Sequence, residues 1–130
     1  MDLNMVAHGV IEAVLHGDPA LAREVFHPEA TITGQQDGIL IRCGVTEYME
    51  VCRRLRLPRR RPGHRYRILL AETEGPVGIL KLAETYPEGE VISYMTLSKV
   101  NGRWLVNNRT LHGTGRAPLL RPLPARTQGD

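Results

Sequence analysis

Residues spaced two apart near the end of the chain carry the first chemistry to be read from this sequence. Asn101-Gly102 supplies the positive φ angles of a two-residue hairpin turn. The run that follows alternates, so Trp104, Val106, Asn108, Thr110 and His112 share one strand face, and Arg103, Leu105, Asn107, Arg109 and Leu111 share the other. The first set begins apolar and ends polar, as a strand would if one end built core and the other lined a wet pocket. On that face His112 could move a proton, because an ordinary imidazole titrates near about 6.5. Asn108 could polarise a carbonyl or hold an oxyanion without changing charge, or it could simply satisfy a backbone group. Thr110 and Trp104 would be ligand contacts.

Other candidates lie on other segments. Glu84 shares a strand face with Leu80 and Leu82. If that face is internal, the carboxylate is desolvated, its pKa rises, and it suits proton abstraction next to a carbonyl. If the face is external, Glu84 is an ordinary solvated residue, and this is the preferred reading. Ser93, among Val91, Met95 and Leu97, is either a ligand contact or a core hydroxyl bonded to main chain; no His-acid pair beside it makes it a nucleophile. Tyr48 and Met49 could close a pocket wall, with the Tyr48 hydroxyl inward, although core packing is their simpler role. Asp37 reads as a turn residue, and His27 as one that caps or packs.

The elements that position these groups follow from period and punctuation. Residues 3–16 have helical spacing and stop at His16-Gly17-Asp18-Pro19; Asp18 then caps a helix over 19–25 with Pro19 at its first position. Short strands follow at 30–35 and 39–42, around a turn at Gln36-Asp37-Gly38. Thr46 can cap a third helix with Glu47 in its first turn and Val45, Tyr48, Met49, Cys52 and Leu55 on its apolar face, ending before Pro58. From Tyr66 onward the period is two: 66–73, 77–86, 91–99 and 103–112 read as four long antiparallel strands in a meander. Helices first, then strands, predict an α+β fold: a cone-shaped, curved antiparallel sheet packed against three N-terminal helices. The single domain covers residues 1–113, and the Pro- and Arg-rich tail at 114–130 is expected to be extended or disordered.

Composition narrows the function classes. A chain of 130 residues with net charge +3 fits one domain that buries roughly two thirds of its unfolded surface. Cys43 and Cys52 are too few for a disulfide framework or a zinc site and read as reduced thiols of a cytoplasmic protein. Nothing in the sequence reads as an export signal or a membrane span. Between Arg53 and Arg67 there are eight Arg among fifteen residues. Read most simply this is a solvated loop. It suits an acidic carrier or a coenzyme A-type anion better than nucleic acid, for which only Tyr66 is at hand to stack.

Three pieces carry a family resemblance: Gly17-Asp18 between the first helices, Phe26-His27-Pro28-Glu29-Ala30 leading into the first strand, and Gly102-Arg103-Trp104-Leu105-Val106-Asn107-Asn108-Arg109 at the end. In this order the chain resembles, over about residues 3 to 113, the nuclear-transport-factor-2-like (cystatin-like) superfamily of ketosteroid isomerase, scytalone dehydratase and the SnoaL-like polyketide cyclases, and its lumazine-binding branch most. The resemblance implies a homodimer through the outer face of the long sheet and a pocket in each subunit. The tyrosine usual in the first helix of that branch is Val10 here, and the acidic residue usual in its penultimate strand is Ser93. Because such folds host isomerases, dehydratases, cyclases, hydrolases and plain binding proteins, function rests on the site. The expectation is a small-molecule pocket protein acting on an apolar carbonyl or polyketide-like metabolite by isomerisation, dehydration or cyclisation, without a metal or organic cofactor. In it His112 or Glu84 moves the proton and Asn108 and Ser93 hold the oxyanion. The alternative is a non-catalytic ligand-binding or scaffold module.

Overall fold

Two aspartates open the first two helices of the computed structural model, which describes residues 2–36, 38–54, 64–87 and 89–114. Asp2 accepts from Met5 N at 3.0 Å and starts α1 (Leu3–His16), which closes at Gly17 in the left-handed region, φ 58°. Asp18 accepts from Ala20 N at 2.9 Å and starts α2 (Pro19–Val25). The third helix, α3 (Val45–Arg54), opens at Val45, so Thr46 lies inside it and is not its cap. Its buried face is Tyr48, Met49, Val51 and Cys52. Leu55 and Pro58, the middle of the arginine-rich stretch (55–63), Asp37, Glu88 of the turn after the second long strand, and the tail from residue 115 lie outside the described residues.

The strands are β1 (Phe26–Gln36), β2 (Ile39–Gly44), β3 (Arg65–Glu74), β4 (Val77–Tyr86), β5 (Gly89–Val100) and β6 (Arg103–Gly113). They form one unclosed sheet in the order β2-β1-β6-β5-β4-β3. The four long strands make the expected meander, with Asn101 at φ 51° and Gly102 at φ 80° turning β5 into β6. The sheet is mixed, because β1 runs parallel to β6; the other pairings are antiparallel. Helices cover one face: Val6, Ala7, Val10 and Ile11 of α1 are buried in one core with Phe26, Ile32, Leu80, Leu82, Met95, Leu97 and Val106.

Besides a register shift between Phe26 and Thr31 where β1 meets β6, bulges in two of the long strands reset the faces of the sheet. One leaves Leu69 as the extra residue of β3 against β4. The other lies in β6: Leu97 pairs with Val106 but Thr96 pairs with Asn108, leaving Asn107 unmatched. Trp104 and Val106 therefore point to the core before the bulge, whereas Arg109 and Leu111 do so after it. This corrects the strict alternation expected from the sequence. Asn108, Thr110 and His112 pair with Thr96, Tyr94 and Ile92 on the outer face, and Thr110 and His112 are exposed.

Candidate functional site

The register alone brings the site together. On the inner face, Glu84 of β4 is opposite Val91 of β5, and Arg109 of β6 is opposite Met95 of β5. Ser93 lies between Val91 and Met95 on that same face. A side chain from β6 must cross the full width of β5 to meet one from β4, about 10 Å between strand axes. Arg109 is long enough to do so, and its Nη2 donates to Glu84 Oε2. In register Ser93 falls between the β5 partners of the two, Val91 and Met95, and is the smallest of the three.

Three more polar groups bond to this pair, and a further two lie beside it. Tyr86, two residues on from Glu84 and on the same face, donates to Glu84 Oε1 at 2.8 Å. His64, just before β3, places Nε2 3.3 Å from the same oxygen, with its ring centroid 4.7 Å from that of Tyr86. Tyr48 reaches in from α3, and its hydroxyl accepts from Arg109 Nη1 at 2.8 Å. On β3, Tyr66 is opposite Glu84 and pairs with His8 of α1 at 3.2 Å. Six elements or their flanks thus meet at the end of the sheet where β4 stops and β5 begins.

Burial makes this arrangement costly and therefore informative. Glu84 and Arg109 are each 1 % exposed, and the buried Ser93 Oγ and Arg109 Nε have no hydrogen-bond partner among the described residues. An unmatched buried donor costs about 1–3 kcal/mol, and the inner face of the sheet carries both of these. Burial works against ionising Glu84, but Arg109 beside it and the bonds from His64 and Tyr86 outweigh that and hold its pKa below the usual carboxylate range. The expectations of a solvated Glu84 and, were it internal, of a raised pKa are both corrected. Burial, with Glu84 nearby, pushes the Tyr86 phenol up; burial likewise raises Tyr48. Both tyrosines stay neutral, Tyr86 donating to Glu84 and Tyr48 accepting from Arg109. Cys52, behind Tyr48, is pushed up to about 12 by burial.

The sequence-derived candidates separate into two groups. Glu84, Ser93 and Tyr48 come together in this cluster. Ser93 is not bonded to main chain, and Tyr48 does more than pack. Asn108 is spent on the outer side, where its amide donates to Thr31 Oγ1 at 2.8 Å and its Oδ1 accepts from Thr110 at 2.7 Å. His112 lies exposed on that outer face. Trp104 packs at the opposite end of β6, with Lys99 Nζ 5.8 Å from its ring. His27 caps locally, its Nδ1 accepting from Glu29 N at 3.0 Å. Arg109, Tyr86 and His64 were not singled out from sequence. Tyr86 shares the phase of Glu84, and Asn107-Asn108, poor β formers within a long strand, are the signal of the bulge that turns Arg109 inward. For His64, inside an aperiodic arginine-rich stretch, the sequence holds no signal.

Two surface grooves lie elsewhere. One of about 510 Å³ runs over the outer face, lined by Glu72, Glu74, Val77, Ile79, Thr96 and Asn107 among others. Another of about 520 Å³ lies beside Asp2, Lys99 and Trp104. Neither touches Glu84, Ser93 or Arg109.

Comparison with known proteins agrees with this architecture. A nuclear-transport-factor-2-like protein of unknown function from Silicibacter pomeroyi superposes with a TM-score of 0.78 at 14% identity, over 86% of this chain and 92% of its own. One from Methylobacillus flagellatus gives 0.70 at 18%, over 86% and 89%. A de novo designed protein with a curved β-sheet gives 0.60 at 19%, over 86% and 100%. These likenesses establish the fold. No curated protein matches the chain. The model of the family described as "Putative lumazine-binding" matches residues 3–112. With nearly the whole described fold inside that match, the chain belongs to this family.

Proposed function

We propose that the protein binds a small, largely apolar compound by a carbonyl oxygen inside the curved sheet. The chemistry the donor set supports is cofactor-independent isomerisation, dehydration or cyclisation. One observation carries this reading: a buried, mutually neutralised Glu84–Arg109 pair that leaves the Arg109 Nε–H and the Ser93 hydroxyl unpartnered. Because the pair cancels its own charge, it offers donors without a net field, which suits a neutral carbonyl better than a carboxylate or a phosphate. The same donors would hold the oxyanion formed when a neighbouring carbon loses a proton. Lumazine, a bicyclic heterocycle with two ring carbonyls, and 2-tetralone, a simple apolar ketone, are suitable probes.

The lowered pKa of Glu84 favours a second reading, that of a non-catalytic binder. A carboxylate held ionised by an arginine is a weak base, so Glu84 is suited to orienting other groups rather than to abstracting a proton itself. A homodimer through the outer sheet face is part of the proposal, supported by the exposed Val77, Ile79 and Tyr94 on that face.

Isothermal titration of the full chain with lumazine and with 2-tetralone tests the binding reading. At least one should bind, and Ser93→Ala should weaken it by about tenfold, the worth of one hydrogen bond. Failure of both compounds to bind, or unchanged affinity in the variant, rejects the reading.

A further inference from the structure

We propose that the groove on the outer face of the sheet is the docking site of the chain's own C-terminal segment, residues 116–126. The groove, of about 510 Å³, pairs apolar side chains with acids: Val77 and Ile79 of β4 are 53 % and 40 % exposed, and their register partners on β3 are Glu74 and Glu72. Among the described residues no ion pair engages either carboxylate. Further along the same face Tyr94 is 56 % exposed. Uncovered apolar side chains beside unpaired acids call for an occupant that is itself apolar and basic. The inference stands apart from the carbonyl-binding reading, since this groove touches neither Ser93 nor Arg109.

The segment after β6 has that chemistry. Arg116, Arg121 and Arg126 are interleaved with Leu119, Leu120 and Leu123, and no acid follows Gly113 until Asp130. Pro118, Pro122 and Pro124 favour an extended chain and lower the entropy lost on docking. The reach fits as well. Gly113 is opposite Val91, and Thr114 N donates to Glu90 O at 2.8 Å, so the segment departs from the end of the sheet where β5 begins. Ser98, in the groove, lies about 23 Å further along β5 at ordinary strand rise. The sixteen residues after Thr114 span at most about 50 Å. A chain that turns back at Thr114 over the outer face reaches the groove with Arg121, beside Glu72 and Glu74, while Leu119 and Leu120 pass over Tyr94 and Ile79. Tethering sets an effective concentration on the order of millimolar, so modest contacts hold the segment in place. The homodimer proposed above draws on the same Val77 and Ile79, so the docked segment and a second copy compete for them.

Backbone order parameters of the full isotope-labelled chain test the inference. In wild type, Leu119, Leu120 and Leu123 should read about 0.85, the value of ordered backbone, at every protein concentration; a free tail reads below about 0.6. Arg116→Glu combined with Arg121→Glu should drop all three below about 0.6 and shift the amide signals of Val77, Ile79 and Asn107. Adding Glu72→Lys and Glu74→Lys to that variant should restore the order, a rescue that unspecific contact would not give. Low order parameters in wild type, order that survives the arginine changes, or no rescue by the exchange of charges overturns the inference. If tail order or the groove signals weaken on dilution, a second copy supplies the cover, which overturns intramolecular docking and supports the homodimer instead.

Discussion

Arg109 and Glu84 meet across an intervening strand, from β6 over β5 to β4, with Ser93 in register between their two β5 partners. The bridge exists because one bulge at Asn107 turns Arg109 inward and because β5 offers a small side chain between those partners. Ser93→Ala should therefore be harmless to the fold, as it removes a buried hydroxyl that bonds to nothing: stability should be unchanged or up to about 1 kcal/mol higher in urea unfolding. Ser93→Val places methyl groups at a fully buried position and should cost about 1–3 kcal/mol.

The pair itself should behave as a coupled unit. Glu84→Gln leaves a buried guanidinium without its counter-ion, a loss of about 3–5 kcal/mol. Adding Arg109→Met to it should recover much of that loss, since the uncompensated charge is then gone. A double-mutant cycle by urea unfolding checks both numbers, and simple additivity of the two single changes would contradict the coupling.

Glu84 also sets an acid limit. Its folded pKa lies below its ordinary value of 4.5. A depressed carboxylate contributes stability that is fully present above the unfolded pKa and is lost as pH falls through the folded one. Stability should thus fall as pH drops below about 4.5, and this part of the fall should vanish in the Glu84→Gln, Arg109→Met double variant. Thermal melts at a series of pH values provide the comparison.

How much of this was legible in the sequence depends on what each signal encodes. Caps and punctuation are local, so Asp2, Asp18, Gly17 and the Asn101-Gly102 turn locate helices and hairpin directly. Strand phase is also local, and β4 and β5 follow it: Leu80, Leu82, Glu84 and Tyr86 face inward together. The phase of β6 fails because a bulge depends on the partner strand, which no single run of residues reveals. His112 was placed with Trp104 by counting twos, and one extra residue moved it to the opposite side. The charge state of Glu84 likewise depends on Arg109, 25 residues away in sequence.

That outer placement has its own consequence. His112→Gln should change stability by no more than about 0.5 kcal/mol and leave ligand affinity as it is, because the residue is exposed on the face away from the cluster. Loss of binding in titration of this variant would move the site to the outer face.

Cys52 reports on the α3 side of the cluster. With its thiol pushed up to about 12 and buried, it carries almost no thiolate at pH 8. In the folded chain a thiol-specific chromogenic reagent should leave Cys52 unlabelled, and denaturant should expose it. Rapid labelling of Cys52 in native conditions, read by peptide mass, would contradict its burial against Tyr48.

The central claim is that a ligand oxygen takes the open donor of Arg109. The side-chain Nε–H signal of Arg109 in a proton–nitrogen correlation spectrum of the full chain, titrated with lumazine and with 2-tetralone, reports on it directly. The account predicts a saturable shift of this signal that matches the binding isotherm and is absent for Arg42 on the outer face. A compound that binds tightly while the Arg109 signal stays still would contradict it.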